Sequence, residues 1–303
     1  LTVETKAYLG LMGVAFFWGT SFAASKIALK DLPPMYLAIL RFSIASIIFY
    51  ALLGKYYRDY KIQRKDKPLL WFLGVLGISS YFYIQYTGLN LTTTVNTAII
   101  IATNPIFTAL LSSLLFHQER LSSNKLLGIL LGFTGIFLIF AGGTRVSLGG
   151  ATIKGDLLIL CNSVAWAFFT VMGKSLVDSY DPFVVIAHIN IYGTATMLPL
   201  AFSRSFIYSL MNAGLETWLA ALYLALTCSV FAYYMWYRGV RILGASRTAA
   251  FNYLNPLFAV TIGILFLKES WNLFTLVGGA AILLGVYVAS LKGGQVVFIK
   301  NKN

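Results

Sequence analysis

Charge is what this chain has least of. Asp, Glu, Lys and Arg make up 11% of its 303 residues, where a soluble domain carries about 25%. So few charged side chains cannot clothe a surface in water, and most of the chain must face lipid or other apolar chain. Cysteine is nearly absent. Cys161 and Cys228 both lie inside apolar runs, which argues against a disulfide framework, and two thiols have no metal-site spacing. There is no His-Glu-x-x-His zinc motif, no Gly-rich phosphate loop between strand and helix, and no buried pair of carboxylates. The glycines of "GGTRVSLGG" (142–150) fall between apolar runs and read as a loop. These absences speak against an enzyme and call for no cofactor and no metal. The net charge of +13 does not imply nucleic acid, because the basic residues lie between apolar runs rather than on one face. They follow the positive-inside bias of membrane proteins instead.

What the chain has in abundance is apolar length. Hydrophobic residues reach 58% and the mean hydropathy is +0.78. A spanning helix needs roughly 20 mostly apolar residues. Such runs lie near 7–28, 34–54, 69–89, 94–116, 125–142, 156–177, 183–202, 216–237, 244–267 and 272–291. The first continues straight into the pattern and reads as a span rather than a cleavable signal. Among the connections only "KYYRDYKIQRKDKP" (55–68) is long, and it is too charged to enter hydrocarbon. The expectation is an all-α membrane protein with ten transmembrane helices, multi-pass in the cell (inner or plasma) membrane, with the lipid bilayer as a partner and no obligatory protein partner.

The runs repeat. "NTAIIIATNPIF" (96–107) returns as "RTAAFNYLNPLF" (247–258), with Thr97, Ala98, Asn104, Pro105 and Phe107 matched by Thr248, Ala249, Asn255, Pro256 and Phe258. The same offset sets Tyr83 on Tyr234, Tyr86 on Tyr237 and Gly88 on Gly239. A one-residue slip then sets Glu119 on Glu269, Gly128 on Gly278 and Gly135 on Gly285. Nearer the start, Trp18 falls on Trp166, Lys26 on Lys174 and Pro34 on Pro182. The reading is two copies of one five-helix unit, 1–144 and 145–303. Five is odd, so the second copy is inverted with respect to the first. With both termini cytoplasmic, sixteen of the 23 basic residues stand at cytoplasmic ends and six outside, with Arg41 left inside a span. An inverted repeat lets one fold open to either side around a central site. The expected function is alternating-access transport of a small-molecule substrate.

Several residue sets are candidates for that site. Asn104–Pro105 and Asn255–Pro256 interrupt their helices; proline removes a backbone hydrogen bond and frees a carbonyl, which in lipid needs a partner or a water-filled cavity. They read as a pair of bends, static or acting as hinges, with the asparagine amides able to serve the freed backbone groups. Tyr81, Tyr83 and Gln85 in the third run, and Tyr233 and Tyr234 in the eighth, read as cavity lining, whereas Tyr86 and Tyr237 fit the aromatic belt at the membrane surface. Trp18, Ser21 and Ser25 share one helix face, as do Asn162, Trp166 and Thr170. Asn96 and Thr103 share another, while Asn252 lies on the stripe of Asn255. Each polar residue alone fits interhelical hydrogen bonding; the set Trp18, Ser21, Tyr81, Tyr83, Gln85, Asn96, Thr103, Asn162, Trp166, Tyr233, Tyr234 and Asn252 is taken as substrate-binding. Arg41 is the intramembrane charge, structural or anion-binding. His188 reads as a bonded packing residue.

"FFWGTSFAASKIAL" (16–29), "PPMYLAILRF" (33–42), "TNPIFTALLSSLLFHQER" (103–120) and "LNPLFAVTIGILFLKES" (254–270) resemble the EamA-type members of the drug/metabolite transporter superfamily, in order and over nearly the whole chain. The resemblance implies ten spans, inverted five-helix repeats, both termini inside and small metabolites as cargo: amino acids, purines, sugars or drugs. The family pattern includes a lysine like Lys26 and an arginine like Arg41. Small multidrug relatives carry an acid in their first helix for proton and cation to compete over. Here all ten acids fall in loops or at helix ends, which disfavours cationic-drug/proton antiport. The expectation is an exporter or exchanger of amino acids, aromatic or neutral ones included. A drug or nucleobase/purine exporter is the alternative, with a channel or intramembrane enzyme disfavoured.

Overall fold

The computed structural model describes residues 2–58, 60–91, 100–101, 103–115, 122–143, 153–258 and 273–291, and no strand occurs among them. In chain order its helices are α1 (Val3–Ala28), α2 (Pro34–Tyr56), α3 (Lys67–Gly74), α4 (Tyr81–Leu91), α5 (Asn104–Leu115), α6 (Ser123–Gly143), α7 (Ile153–Ser179), α8 (Pro182–Ala201), α9 (Arg204–Asn212), α10 (Leu215–Tyr223), α11 (Ala232–Leu243), α12 (Ala245–Ala250) and α13 (Leu273–Ser290). The rod α3–α4 is continuous through a π-helical segment, Val75–Ser80, and the rod α10–α11 through another, Leu224–Phe231. Helix α12 runs on through the 3-10 turn Phe251–Tyr253 into 254–258.

Helix ends follow local chemistry. The Thr2 hydroxyl accepts from the Thr5 amide at 3.1 Å to start α1. Pro34 and Pro182 open α2 and α8, where the missing N–H has no intrahelical partner to lose. The Asp181 carboxylate accepts from the Phe183 amide at 2.8 Å. Gly244, at φ 86°, parts α11 from α12 in a conformation that only glycine adopts cheaply.

Five stretches are long and apolar enough to cross a membrane: Pro34–Tyr56, Arg64–Leu89, Lys154–Ser179, Pro182–Ala201 and Leu215–Leu243. Helix stands at the other expected spans too, but those at 94–116, 244–267 and 272–291 are described only in part. A count of ten spanning helices is therefore not reached among the described residues.

The helices of one half pack chiefly on those of the other: α1 along the α10–α11 rod, α2 along α8, α4 along α7 and α6 along α13. The α6–α13 seam is glycine-lined and antiparallel, with Gly128 facing Gly285 and Ala289 while Gly135 faces Gly278 and Ile282. Small residues of this kind let backbones approach closely where no hydrophobic force separates helix from lipid. At the ends of the bundle, polar groups tie the halves together. Asp31, in the turn between α1 and α2, accepts from the Gly214 amide at 2.9 Å and the Thr217 hydroxyl at 2.6 Å. Those two donors hold its carboxyl below the usual carboxylate range. Tyr180, in the turn between α7 and α8, donates to Asp66 at 2.5 Å and accepts from the Gln63 amide. Its bond to Asp66 and its partial desolvation push the phenol above its ordinary value.

Candidate functional site

Where the halves meet lies a cavity of about 70 Å³. Spacings of three, four and seven residues bring Trp18, Ser21 and Ser25 of α1 to its wall, and a wider arc brings Tyr81, Phe82, Gln85, Tyr86 and Leu89 of α4. Arg41 enters from α2, and Ile101 and Asn104 from the chain leading into α5. The second half supplies Trp166, Tyr233, Asn252 and Asn255.

The aromatic part of the wall is centred on the two tryptophans that the repeat sets in register. Trp18 and Trp166 meet edge to face at 5.2 Å, and both touch Tyr233, at 5.8 and 5.9 Å, and Trp236, at 5.1 and 5.4 Å. Such pairs prefer this geometry because the positive ring edge seeks the negative face. The Trp18 indole N–H donates to the Cys228 carbonyl at 3.1 Å. Cys228 lies in the second π-helical segment, where the wider winding disturbs the regular carbonyl ladder; π-bulges favour functional sites for this reason.

Arg41 is the fixed charge of the cavity and is 3% exposed. Its Nε donates to the Ser229 hydroxyl at 2.7 Å, and its guanidinium carbon lies 4.9 Å from the Phe42 ring centre and 4.8 Å from that of Phe82. These are cation–π distances. Among the described residues no carboxylate stands in the cavity wall. Several lining residues also keep a buried polar atom without a hydrogen-bond partner: the Tyr86 hydroxyl, the Trp166 indole nitrogen, Asn104 Oδ1, Asn255 Oδ1 and Asn252 Nδ2. Buried polar atoms are normally bonded, and these five, without a partner among the described residues, belong to side chains around one cavity.

Of the residues expected to bind substrate, Trp18, Ser21, Tyr81, Gln85, Trp166, Tyr233 and Asn252 stand in this wall, as do Arg41, Asn104 and Asn255. Tyr83 does not: it is 55% exposed, on the side of α4 turned away from the arc through Gln85 and Leu89. Half-buried Tyr234 packs on Phe183 at 5.7 Å, and the Thr103 hydroxyl donates to the Ile100 carbonyl at 2.6 Å. Asn162 is fully buried and stands outside the wall. Asn96, Glu119 and Glu269 lie outside the described residues. Tyr86 and Tyr237, expected in the surface aromatic belt, are instead 3% and 0% exposed; Tyr86 lines the cavity and the Tyr237 hydroxyl donates to the Phe169 carbonyl. Phe82, Leu89 and Ile101 line the cavity as well; the i, i+1, i+4 spacing with Tyr81 and Gln85 signals the first two, and nothing in the sequence signals Ile101. His188 keeps its Nδ1 2.8 Å from the Val184 carbonyl, as a packing residue does.

The Asn-Pro pairs stand at changes of winding. Asn104–Pro105 begins α5 just after a turn at 103, and Asn255–Pro256 follows directly on the 3-10 turn Phe251–Tyr253. Both asparagine Oδ1 atoms lack a partner among the described residues. Just before the first break the Ile100 carbonyl accepts from the Thr103 amide at 2.9 Å, from the Thr103 hydroxyl and, across the halves, from that of Ser163 at 3.2 Å, side-chain support of the kind that irregular backbone in lipid requires.

The EamA-like transporter family matches residues 5–141 and, a second time, 153–291. The chain belongs to this family. As an EamA-like transporter it has a repeated fold and is a multi-pass membrane protein. It is similar to an "Uncharacterized transporter" of Archaeoglobus fulgidus, with 32% identity over 97% of this chain and 100% of the relative. It is similar also to the "Uncharacterized transporter YyaM" of Bacillus subtilis, with 28% identity over 93% of each. Its fold resembles a solved crystal structure with a TM-score of 0.78 and 21% identity, covering 94% of this chain and 96% of that one.

Proposed function

We propose that this EamA-like transporter is an alternating-access exporter or exchanger of small metabolites, namely amino acids, with aromatic or neutral ones among them. It consists of two inverted units, 1–144 and 145–303, in the cell membrane with both termini cytoplasmic. The observation that carries the reading is the cavity at the meeting of the halves, where the repeat-matched Trp18 and Trp166 touch. Its aromatic walls suit an apolar side chain, and the Arg41 cation, amides and hydroxyls suit a small polar head. At about 70 Å³ the cavity is far below the roughly 300 Å³ at the lower end of small-molecule sites. Admitting a substrate therefore requires the halves to part, which is what alternating access supplies. The Asn-Pro breaks beside the wall are the proposed hinges, and Trp18, Ser21, Tyr81, Gln85, Trp166, Tyr233 and Asn252 the proposed substrate contacts.

The side-chain amides of Asn104, Asn252 and Asn255 around the cavity also suit the ring edge of a purine, the second reading. The test is counterflow in liposomes with purified protein and no ion gradient. Labelled phenylalanine or threonine should enter saturably, and faster when the same amino acid is preloaded. Counterflow of a purine alone would replace the amino-acid reading, and non-saturable flux would mean a channel.

A further inference from the structure

We infer that Arg41 is an anion subsite, and that the cargo is recognised by a carboxylate docking on its guanidinium. The inference rests on the carrier reading above and names the chemistry that its central cavity selects.

A guanidinium carries five N–H donors in a rigid fork. Here one is used: Nε donates to Ser229 at 2.7 Å. The side chain is 97% buried by the 3% exposure that remains, and Phe42 and Phe82 hold its carbon at 4.9 and 4.8 Å. No described residue accepts from the two terminal nitrogens, and neither nitrogen is among the fully enclosed unpartnered atoms. They are thus open to the cavity, which Arg41 lines.

Among the described residues the surroundings supply no counter-charge. Hydroxyls, amides, indoles, aromatic rings and the aliphatic Leu89 and Ile101 make up the rest of the described wall, and the nearby titratable side chains Tyr81, Tyr233 and Cys228 are phenols and a thiol. A buried cation without an anionic partner is a costly arrangement, and charges inside a membrane protein ordinarily pair or face a water-filled path. A carboxylate meets the exposed fork with two parallel hydrogen bonds, which lysine could not reproduce. The Ser229 bond and the two rings fix the guanidinium plane in advance. Selectivity follows from the same geometry: an amine or amide in that place leaves the charge unpaired, so decarboxylated analogues are rejected more strongly than analogues altered at the apolar end.

The experiment measures thermal stabilisation of detergent-purified full-length protein by phenylalanine, threonine, 3-phenylpropionate, phenethylamine and phenylalaninamide, alongside their competition in the counterflow assay. Compounds with a carboxylate should bind at least tenfold more tightly than phenethylamine and phenylalaninamide. Arg41→Gln should erase that discrimination, Arg41→Lys should restore it only in part, and Ser229→Ala, which keeps the charge and frees its anchor, should weaken it. If Arg41→Gln does not fold, Arg41→Lys and Ser229→Ala carry the test. Equal binding of acid and amine by the wild type, unchanged discrimination in the folded variants, or no carboxylate binding by folded protein overturns the subsite. Counterflow of a cargo lacking a carboxylate would sink the subsite and leave the carrier; carboxylate binding without counterflow would sink the carrier and leave the subsite.

Discussion

Substituting Gly128 by alanine tests the seam on which the two halves close. A Cβ built on Gly128 would stand 2.6 Å from the Gly285 carbonyl oxygen and 2.7 Å from the Ala289 nitrogen. Both are backbone atoms and cannot swing aside as a flexible side chain would. Ordinary contact begins near 3.4 Å, so α6 and α13 must draw apart by roughly 0.8 Å, and a gap of about 0.5–1 Å forfeits a quarter to a half of each dispersion contact it opens. Overpacking of this kind costs about 1–3 kcal/mol. Gly54 is the internal control: it also lies in a helix, but nothing stands within 4 Å of its Cβ position. Gly54→Ala should therefore gain roughly 0.5–1 kcal/mol from backbone entropy alone. The assay is denaturant and thermal unfolding in mixed micelles, followed by circular dichroism. Gly128→Ala should unfold earlier than the wild type and Gly54→Ala no earlier. A Gly128→Ala protein as stable as the wild type would refute the close approach of α6 and α13.

Pro105→Ala and Pro256→Ala should each lower the initial transport rate severalfold while leaving the yield of folded protein near that of the wild type; parallel loss of both would remove the hinge role. Trp18→Phe deletes the bond to the Cys228 carbonyl and should cost about 0.5–1.5 kcal/mol in unfolding experiments, more than Trp166→Phe, whose indole N–H has no partner to lose; the reverse order would contradict the described bond. The Asp31 carboxyl is held below its ordinary value by Thr217 and Gly214. Its contribution to stability is thus complete above about pH 4, the unfolded value, and disappears as pH falls through the depressed folded value. Asp31→Asn should lower the unfolding temperature at pH 7 and narrow its gap from the wild type at pH 3, and a gap independent of pH would show that the charge plays no part.

Apolar runs and their polar breaks made the helices legible, because a bilayer demands both. The repeat was legible too, since Trp, Pro and Asn-Pro are rare enough to stand out at a fixed offset. Within the site, Trp18, Ser21 and Trp166 were found by helical spacing on helices that run undisturbed. Tyr86 and Tyr237 are buried rather than in the surface belt, because nearness to a helix end is not nearness to the membrane surface, and Tyr83, expected in the cavity, is 55% exposed. What decides their positions is angular: Tyr86 lies on the inward arc of α4 with Gln85 and Leu89, and Tyr83 opposite it. The π-helical segments left no mark in the sequence, since a wider turn is selected by packing, as where Gly77 lies against Phe169, rather than by any residue's own preference. Neither the Cys228 carbonyl nor the Ser229 hydroxyl stood out as an acceptor for that reason.

The way the halves interleave also sets an order in time. Arg41 and its acceptor Ser229 are 188 residues apart, and synthesis at about 5–20 residues per second separates their appearance by about ten to forty seconds. Throughout that interval α2 exists without the helix that receives its charge, and α1 without the rod on which it lies. The nascent first half is thus a waiting structure, with an arginine that must be tolerated by translocon, water or lipid headgroups until the second half arrives. A substitution at Ser229 consequently acts twice, once in the finished protein and once in deciding how that wait ends.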